Sequence, residues 1–286
     1  MKSLSIGLAL MVTLMLAYPA YAQCPSHERI NTILRYLEEK QPLRGLRADL
    51  SMQDAECGRK RLVEKLGSSE NRIVGYKAGL TNRAVQERFG VASPVRGVLL
   101  ENMMLKDGAE VPARFGARPV FEADLLVVVK DPAIHKAKTH LDALRSLSLV
   151  IPFIELPDLL VAEGEKLSAP LITFLNVGAR LGVVGKGIPV QATPEFAAAL
   201  AAMRVVVSDQ GGKEIASGTG TAILDHPLNA VLWLARDLER SGVRLKPGDL
   251  LSLGSFTPPL PPKPGTTLTA RYEGLPGNAE VSVRFK

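Results

Sequence analysis

Three acidic residues in two apolar runs are the first candidates for chemistry. Glu122 and Asp124 lie two apart in the run 121–129, where period-two alternation puts both side chains on one face of a strand. Glu155 ends a second apolar run, 149–156. Carboxylates on one shielded face repel unless something positive lies between them. Three oxygen-only donors suit Mg²⁺, Mn²⁺ or Ca²⁺ rather than zinc. The same spacing also arises in an alternating strand with one wetted face, so spacing alone leaves both readings open. Lys77 sits in GYKAGLT (75–81) with glycine on either side. It could polarise a bound carbonyl or carboxylate, or donate a proton if desolvated; a solvated strand lysine is the plainer alternative. In GDLLSLGSFT (248–257), Ser255, Thr257 and free backbone N–H groups at a strand end could hold a carboxylate. The four histidines have no metal-ligand spacing, and no nucleophile elbow, phosphate loop or dinucleotide fingerprint is present.

The chain that positions these residues has 286 residues, 46% hydrophobic and 22% charged. That excludes a disordered, collagen-like or disulfide-dense class and leaves room for a sizeable core. The net charge of +6 is spread along the chain without a basic arm, and aromatics are 5%, so no nucleic-acid platform is indicated.

Residues 1–22 have the layout of a secretory signal peptide: Lys2, an apolar stretch over 8–17, and Ala20-Tyr21-Ala22 before the expected cut. No later stretch approaches the ~18 apolar residues of a membrane span. The expectation is an exported protein, periplasmic in a Gram-negative cell. In an oxidising compartment Cys24 and Cys57, the two cysteines, can form one disulfide; two buried thiols or a reactive thiol are the alternatives.

Hydrophobic periodicity predicts helices over 26–39 and 51–66. Strands follow over 73–80, 97–100, 121–129 and 149–156, with a short helix over 138–147 between the last two. A short helix is expected over 195–203, a strand pair over 204–208 and 214–218 around Gly211-Gly212, and an amphipathic helix over 229–241. The Pro-rich 258–264 reads as a rigid loop. The expected organisation is a signal peptide over 1–22 and a single domain over 23–286, with a helical part over 23–70 and a strand-rich body over 71–286. This is an α+β class.

Six segments in order resemble the fumarylacetoacetate hydrolase superfamily, in the branch of 2-keto-4-pentenoate hydratases and 4-oxalocrotonate decarboxylases. They are GYKAGLT (75–81), GVLLENM (97–103), FEAD (121–124), IPFIE (151–155), PLNAVLWLARDL (227–238) and GDLLSLGSFT (248–257). The resemblance implies a mixed β-roll-like body with peripheral helices, commonly in a homo-oligomer. It implies Mg²⁺ or Mn²⁺ held by Glu122, Asp124 and Glu155, and a small 2-oxo acid as substrate. Lys77 would stabilise an enolate or shuttle a proton. Glu101 falls where an active-site acid or small residue sits. Asn176 and Arg180, with Ser255 and Thr257, would face the substrate.

Two departures from that pattern stand out. Asp124 replaces a glutamate. In FLNVGARLGVVG (174–185) Asn176 matches, but Leu175, Gly178 and Ala179 stand where an aspartate and two serines are expected. The implied activity is that of an exported metal-dependent hydro-lyase on an acid such as 2-hydroxypenta-2,4-dienoate. The alternatives are a decarboxylase, a C–C hydrolase, or a relative that binds an acidic ligand or partner without turnover.

Overall fold

Ser26 and Ser51 open the first two helices by accepting from Arg29 N at 3.3 Å and Asp54 N at 3.0 Å. The computed structural model describes residues 24–46, 50–277 and 279–286; residues 1–22, read as a signal peptide, lie outside them. The helices are α1 (His27–Glu39), α2 (Met52–Leu66), α3 (Arg83–Phe89), α4 (His140–Arg145), α5 (Ala169–Phe174), α6 (Pro194–Ala202) and α7 (Pro227–Arg240). The strands begin with β1 (Ile73–Gly79), β2 (Val95–Leu100), β3 (Met104–Lys106), β4 (Ala109–Val111), β5 (Glu122–Val129) and β6 (Leu147–Leu156). They continue with β7 (Leu181–Val184), β8 (Ile188–Pro189), β9 (Arg204–Asp209), β10 (Glu214–Thr219), β11 (Leu250–Ser252), β12 (Thr267–Glu273) and β13 (Glu280–Phe285).

An eight-stranded mixed sheet runs β2-β1-β11-β5-β6-β7-β3, with β8 pairing to β6. A five-stranded sheet runs β10-β9-β12-β13-β4. With the helices around them, the two sheets form the expected mixed α+β body. Register in the first sheet decides what meets what. Lys77 on β1 is directly opposite Ser252 on β11; Ser252 is opposite Leu126 on β5; Leu126 is opposite Ile151 on β6. Directly opposed residues project to the same face. That face therefore carries Lys77, Ser252 and, by two-residue alternation from Leu126, Asp124 and Glu122. Glu155 joins it because it is directly opposite Glu122. The other face, with Leu125, Val127, Val150, Ile154 and Leu251, packs into the main core with α7.

α7 has the apolar stripe its sequence predicts. His226 caps it by accepting from Leu228 N at 3.0 Å, Pro227 takes the first helical position, and Gly242 beyond its end is left-handed at φ +74°. Arg96 on β2 ties α7 to the sheet, donating to Asp237 at 2.6 Å and to the Ser241 hydroxyl at 2.8 Å. Tyr272 links the two sheets. Its buried hydroxyl lies among the carbonyls of Asp124 and Phe153, the latter at 2.9 Å, and the Phe153 amide at 3.2 Å.

Several short elements escape periodicity, α3, α5 and β7 among them. α3 and α5 are too brief to show a stripe, and β7 lies in a segment interrupted by glycines. Each is set by tertiary packing. α5 buries Leu171 and Phe174 in a separate cluster with Ile30 and Ile33 of α1 and Ala55 and Leu62 of α2.

Cys24 and Cys57 are bonded, across a sequence separation of 33. The bond fastens the segment before α1 to the middle of α2, where Arg61 also donates to Pro25 O at 2.8 Å. Closing a loop of this length stabilises by about 2–4 kcal/mol. Cys57→Ser should lower the unfolding free energy by about that amount in denaturant titrations. Reductant should reproduce the loss in the wild type and leave the variant unchanged; a wild type indifferent to reductant would contradict this.

Candidate active site

The face bearing Lys77 holds a buried acid cluster. Lys77, Asp124 and Glu155 are 3%, 0% and 3% exposed, and Glu122 is half-buried at the start of β5. Lys77 forms an ion pair with Glu155 and donates to Val177 O at 3.0 Å. Asp124 is held from the end of β11 and the turn after it: its Oδ2 accepts from the Ser252 hydroxyl at 2.6 Å, and its Oδ1 from Leu253 N at 3.2 Å and Gly254 N at 3.0 Å. Gly254 has φ +106°, a conformation that requires glycine. The Ser255 hydroxyl contacts the Glu122 carboxyl.

One lysine does not balance two buried carboxylates and a half-buried third. Burial and then the Glu155 charge push the Glu122 carboxyl up to about 8. The same two causes, in the same order, push Asp124 up to about 8 against the hydrogen bond from Ser252. The cluster therefore keeps protons at neutral pH that a cation would displace. The donor set fits a hard divalent cation, since it offers only carboxylate oxygens and two of its members need added positive charge to ionise. As they stand, with Lys77 on Glu155, no three acidic, histidine or cysteine side chains among the described residues are drawn together as an ion cage.

Lys77 owes its place to its neighbours. A Cβ on Gly97 of β2 would lie 2.8 Å from Lys77 Cγ and 2.9 Å from Asn176 O, so glycine is needed for the side chain to pass. The acceptor Val177 lies in a left-handed turn, with Asn176 and Val177 at φ +55° and Gly178 at +66°. A β-branched residue there is strained by about 1–2 kcal/mol.

Of the other sequence candidates, Ser255 touches the acid cluster at Glu122, and the rest lie around it or away from it. Glu101 does not enter the site: it starts a 3-10 turn after β2, is exposed, and accepts from Arg72 at 3.2 and 3.4 Å. Asn176 is buried, but both ends of its amide are used by the backbone of Val98, at 2.8 and 2.9 Å. It acts as a splice onto β2. The Thr257 hydroxyl accepts from Ala123 N at 3.1 Å, and that of Ser255 also reaches Thr257 O at 2.5 Å, so both shape the entry of β5. Arg180 is half-buried and lines a cavity beyond the Val177 turn. Sequence reasoning missed Ser252 and Tyr272; only the strand register brings them to Asp124. Three of the four histidines are committed elsewhere. His135 meets Ala235 O and Leu245 N, and His140 stacks on His226 with ring centroids 3.9 Å apart.

No protein-family profile matches the chain. The chain is 29% identical over 238 residues to a 2-keto-4-pentenoate hydratase of Paraburkholderia xenovorans, covering 82% of this chain and 85% of that one. It is 30% identical over 217 residues to a 4-oxalocrotonate decarboxylase of Pseudomonas putida, covering 75% of this chain and 78% of the relative. The chain belongs to the hydratase–decarboxylase branch of the fumarylacetoacetate hydrolase superfamily. The branch's fold extends over most of the chain. The solved 4-oxalocrotonate decarboxylase of Pseudomonas putida G7, complexed with magnesium and adipate, superposes with a TM-score of 0.77 at 25% identity, over 92% of this chain and all of that one.

The acid cluster gives a pH dependence of definite sign. Glu122 and Asp124 ordinarily titrate at 4.5 and 3.8, so up to about pH 8 the folded state binds protons the unfolded chain has released. Stability then falls as pH rises through that window. His226, lowered to about 4 by burial and then by His140, acts in the opposite sense only below its ordinary 6.5. In chelator, the midpoint of urea unfolding should therefore decline from pH 6.5 to 8.5. Asp124→Asn should flatten the decline; a rising or flat wild-type profile would refute it.

Proposed function

We propose that this chain is an exported divalent-metal-dependent lyase that hydrates a small 2-hydroxydienoic acid such as 2-hydroxypenta-2,4-dienoate. The observation that carries the reading is the pairing of a buried, proton-retaining carboxylate cluster with one buried lysine on a single sheet face. Membership of the branch supports it, and so does the magnesium in the solved decarboxylase. Glu122, Asp124 and Glu155 would hold Mg²⁺ or Mn²⁺, which supplies Lewis acidity toward the carboxylate and 2-oxygen of a 2-oxo acid.

The protein's own groups do the rest. Lys77 is buried beside Glu155 and is placed to hold or deliver a proton at the substrate 2-oxygen. Protonation at C5 of the dienol gives the conjugated keto acid, and water then adds at C4. The Ser255 hydroxyl keeps the Glu122 carboxyl oriented at the mouth of β5. The missing serines near Gly178 leave proton transfer to Lys77 and solvent. In a decarboxylase the same arrangement would accept the electron pair released with CO₂.

With Mg²⁺ or Mn²⁺, purified protein should remove the dienol absorbance of 2-hydroxypenta-2,4-dienoate. Glu122→Ala and Glu155→Ala should each lower kcat/KM by on the order of 100-fold or more while remaining folded by circular dichroism. Full activity in either variant, or in chelator, would sink the metal assignment. Release of CO₂ from 4-oxalocrotonate without hydration would favour the decarboxylase.

Export is supported by the signal-like 1–22 and by the Cys24–Cys57 bond, since disulfides persist in oxidising compartments. Expressed in a Gram-negative host, the full chain should fractionate with the periplasm and begin at Gln23 on N-terminal sequencing. An intact Met1 terminus in the cytosolic fraction would contradict it.

A further inference from the structure

A cavity of about 520 Å³ lies where the first half of α2, the start of β2, α5 and the second half of α7 meet. Neither Lys77 nor any of the three acids of the candidate active site lines it. Five charged side chains do: Glu56, Arg96, Arg236, Asp237 and Arg240. Three of these satisfy one another, since Asp237 accepts from Arg96 at 2.6 Å and from Arg240 at 3.4 Å. Arg236 and Glu56 are left over. Neither makes a hydrogen bond or an ion pair among the described residues. Glu56 acts on the buried Arg59 only through space.

A third polar group in the wall also lacks a partner. Thr173 of α5 is 1% exposed, and its hydroxyl makes no hydrogen bond. A threonine within a helix can return its hydroxyl to a carbonyl one turn back, and this one does not. A buried hydroxyl left unpaired costs about 1–3 kcal/mol. The hydrocarbon in the wall is open as well. Met52 is 38% exposed, one of three large hydrophobic side chains left so among the described residues. Trp233, the chain's one tryptophan, is half-buried between the buried Leu232 and Leu234. A cation, an anion and a hydroxyl without partners, set around an apolar space, match a zwitterion on a hydrocarbon body. A simple carboxylate would meet Glu56 as a like charge, and a simple amine would meet Arg236 as one.

We propose that this cavity binds a free α-amino acid with a large apolar side chain. Arg236 takes the α-carboxylate, Glu56 the α-ammonium, and the Thr173 hydroxyl donates to the same carboxylate. Met52 and Trp233 flank the side chain. The site is separate from the acid cluster, and the inference does not rest on the lyase reading.

L-Phenylalanine, 3-phenylpropionate and 2-phenylethylamine share a phenyl ring on a two-carbon chain and differ in the charges they carry. Calorimetric titration of the full protein, in chelator so that no metal at the acid cluster competes for the carboxylate, should show phenylalanine binding at least ~10-fold tighter than either analogue. Arg236→Gln should bring phenylalanine down to the affinity of the amine, and Glu56→Gln down to that of the phenylpropionate. Thr173→Val should weaken phenylalanine by ~5-fold or more while raising the melting temperature of the free protein, because it removes an unpaired buried hydroxyl. Arg236 and Glu56 are exposed, so both glutamine variants should fold, which circular dichroism checks. No binding of phenylalanine at millimolar concentration, analogues that bind as tightly, or an affinity that survives both glutamine variants overturns the site. These outcomes are read without any dienoate turnover, so failure of the lyase reading leaves the amino-acid site standing, and the reverse.

Discussion

Two carboxylates directly opposite each other in a buried β-ladder set the terms for the rest of this structure. Glu122 and Glu155 are register partners across β5 and β6, and Asp124 follows on the same face. Opposed side chains in such a pair start from Cβ atoms about 5 Å apart, and like charges there repel. A sheet selected for stability alone would not keep this arrangement. The protein accommodates it by three devices at once: Lys77 takes Glu155, the end of β11 and the turn after it supply a hydroxyl and two amides to Asp124, and Glu122 and Asp124 hold their protons to about pH 8. Each device satisfies a negative charge without dispersing the carboxylates. That pattern belongs to a site whose work is to receive positive charge.

The placement of Lys77 carries a further cost. Val177 adopts left-handed backbone at about 1–2 kcal/mol, between Asn176 and Gly178, residue types that tolerate the same region. The turn is held because it satisfies buried groups on both sides. Asn176 closes two hydrogen bonds on Val98, and Val177 turns its carbonyl to the Lys77 ammonium. Leu175, Gly178 and Ala179 carry no side-chain hydroxyl, so the turn meets the lysine through main chain. Strain localised at a functional lysine and offset by buried hydrogen bonds is how such turns persist.

Much of the fold was legible because long elements declare themselves through periodicity. The helices at 26–39, 51–66 and 229–241, and the strands at 121–129 and 149–156, agree with the observed elements to within about two residues. The acids could be placed on one face because strand alternation is strictly two. What alternation cannot supply is register. Nothing local in β11 says that Ser252 will lie beside Lys77 or that Gly254 will give its amide to Asp124, and nothing in β12 marks Tyr272 as the link between sheets. Glu101 and Asn176 show the same limit in reverse. Their positions in the chain fit the branch pattern, but a 3-10 turn carries Glu101 outward to Arg72, and the Asn176 amide bonds the backbone of Val98.

The departure at Asp124 follows from the same geometry. Both of its oxygens are engaged from the end of β11 and the turn after it, with Ser252 Oγ at 2.6 Å on one and Gly254 N at 3.0 Å on the other. An aspartate carboxylate stays close to its own strand, where donors on the neighbouring strand can reach it. A glutamate, one methylene longer, would carry the charge past those donors and toward Glu155. The shorter acid thus reaches less far into the site but is better oriented, held by donors that stay in place whichever cation sits beside it. Gly254 completes the arrangement, because the φ of +106° that turns its amide toward Asp124 is open only to glycine. The aspartate and the glycine therefore act as one unit: the charge is kept short, and the backbone bends to meet it.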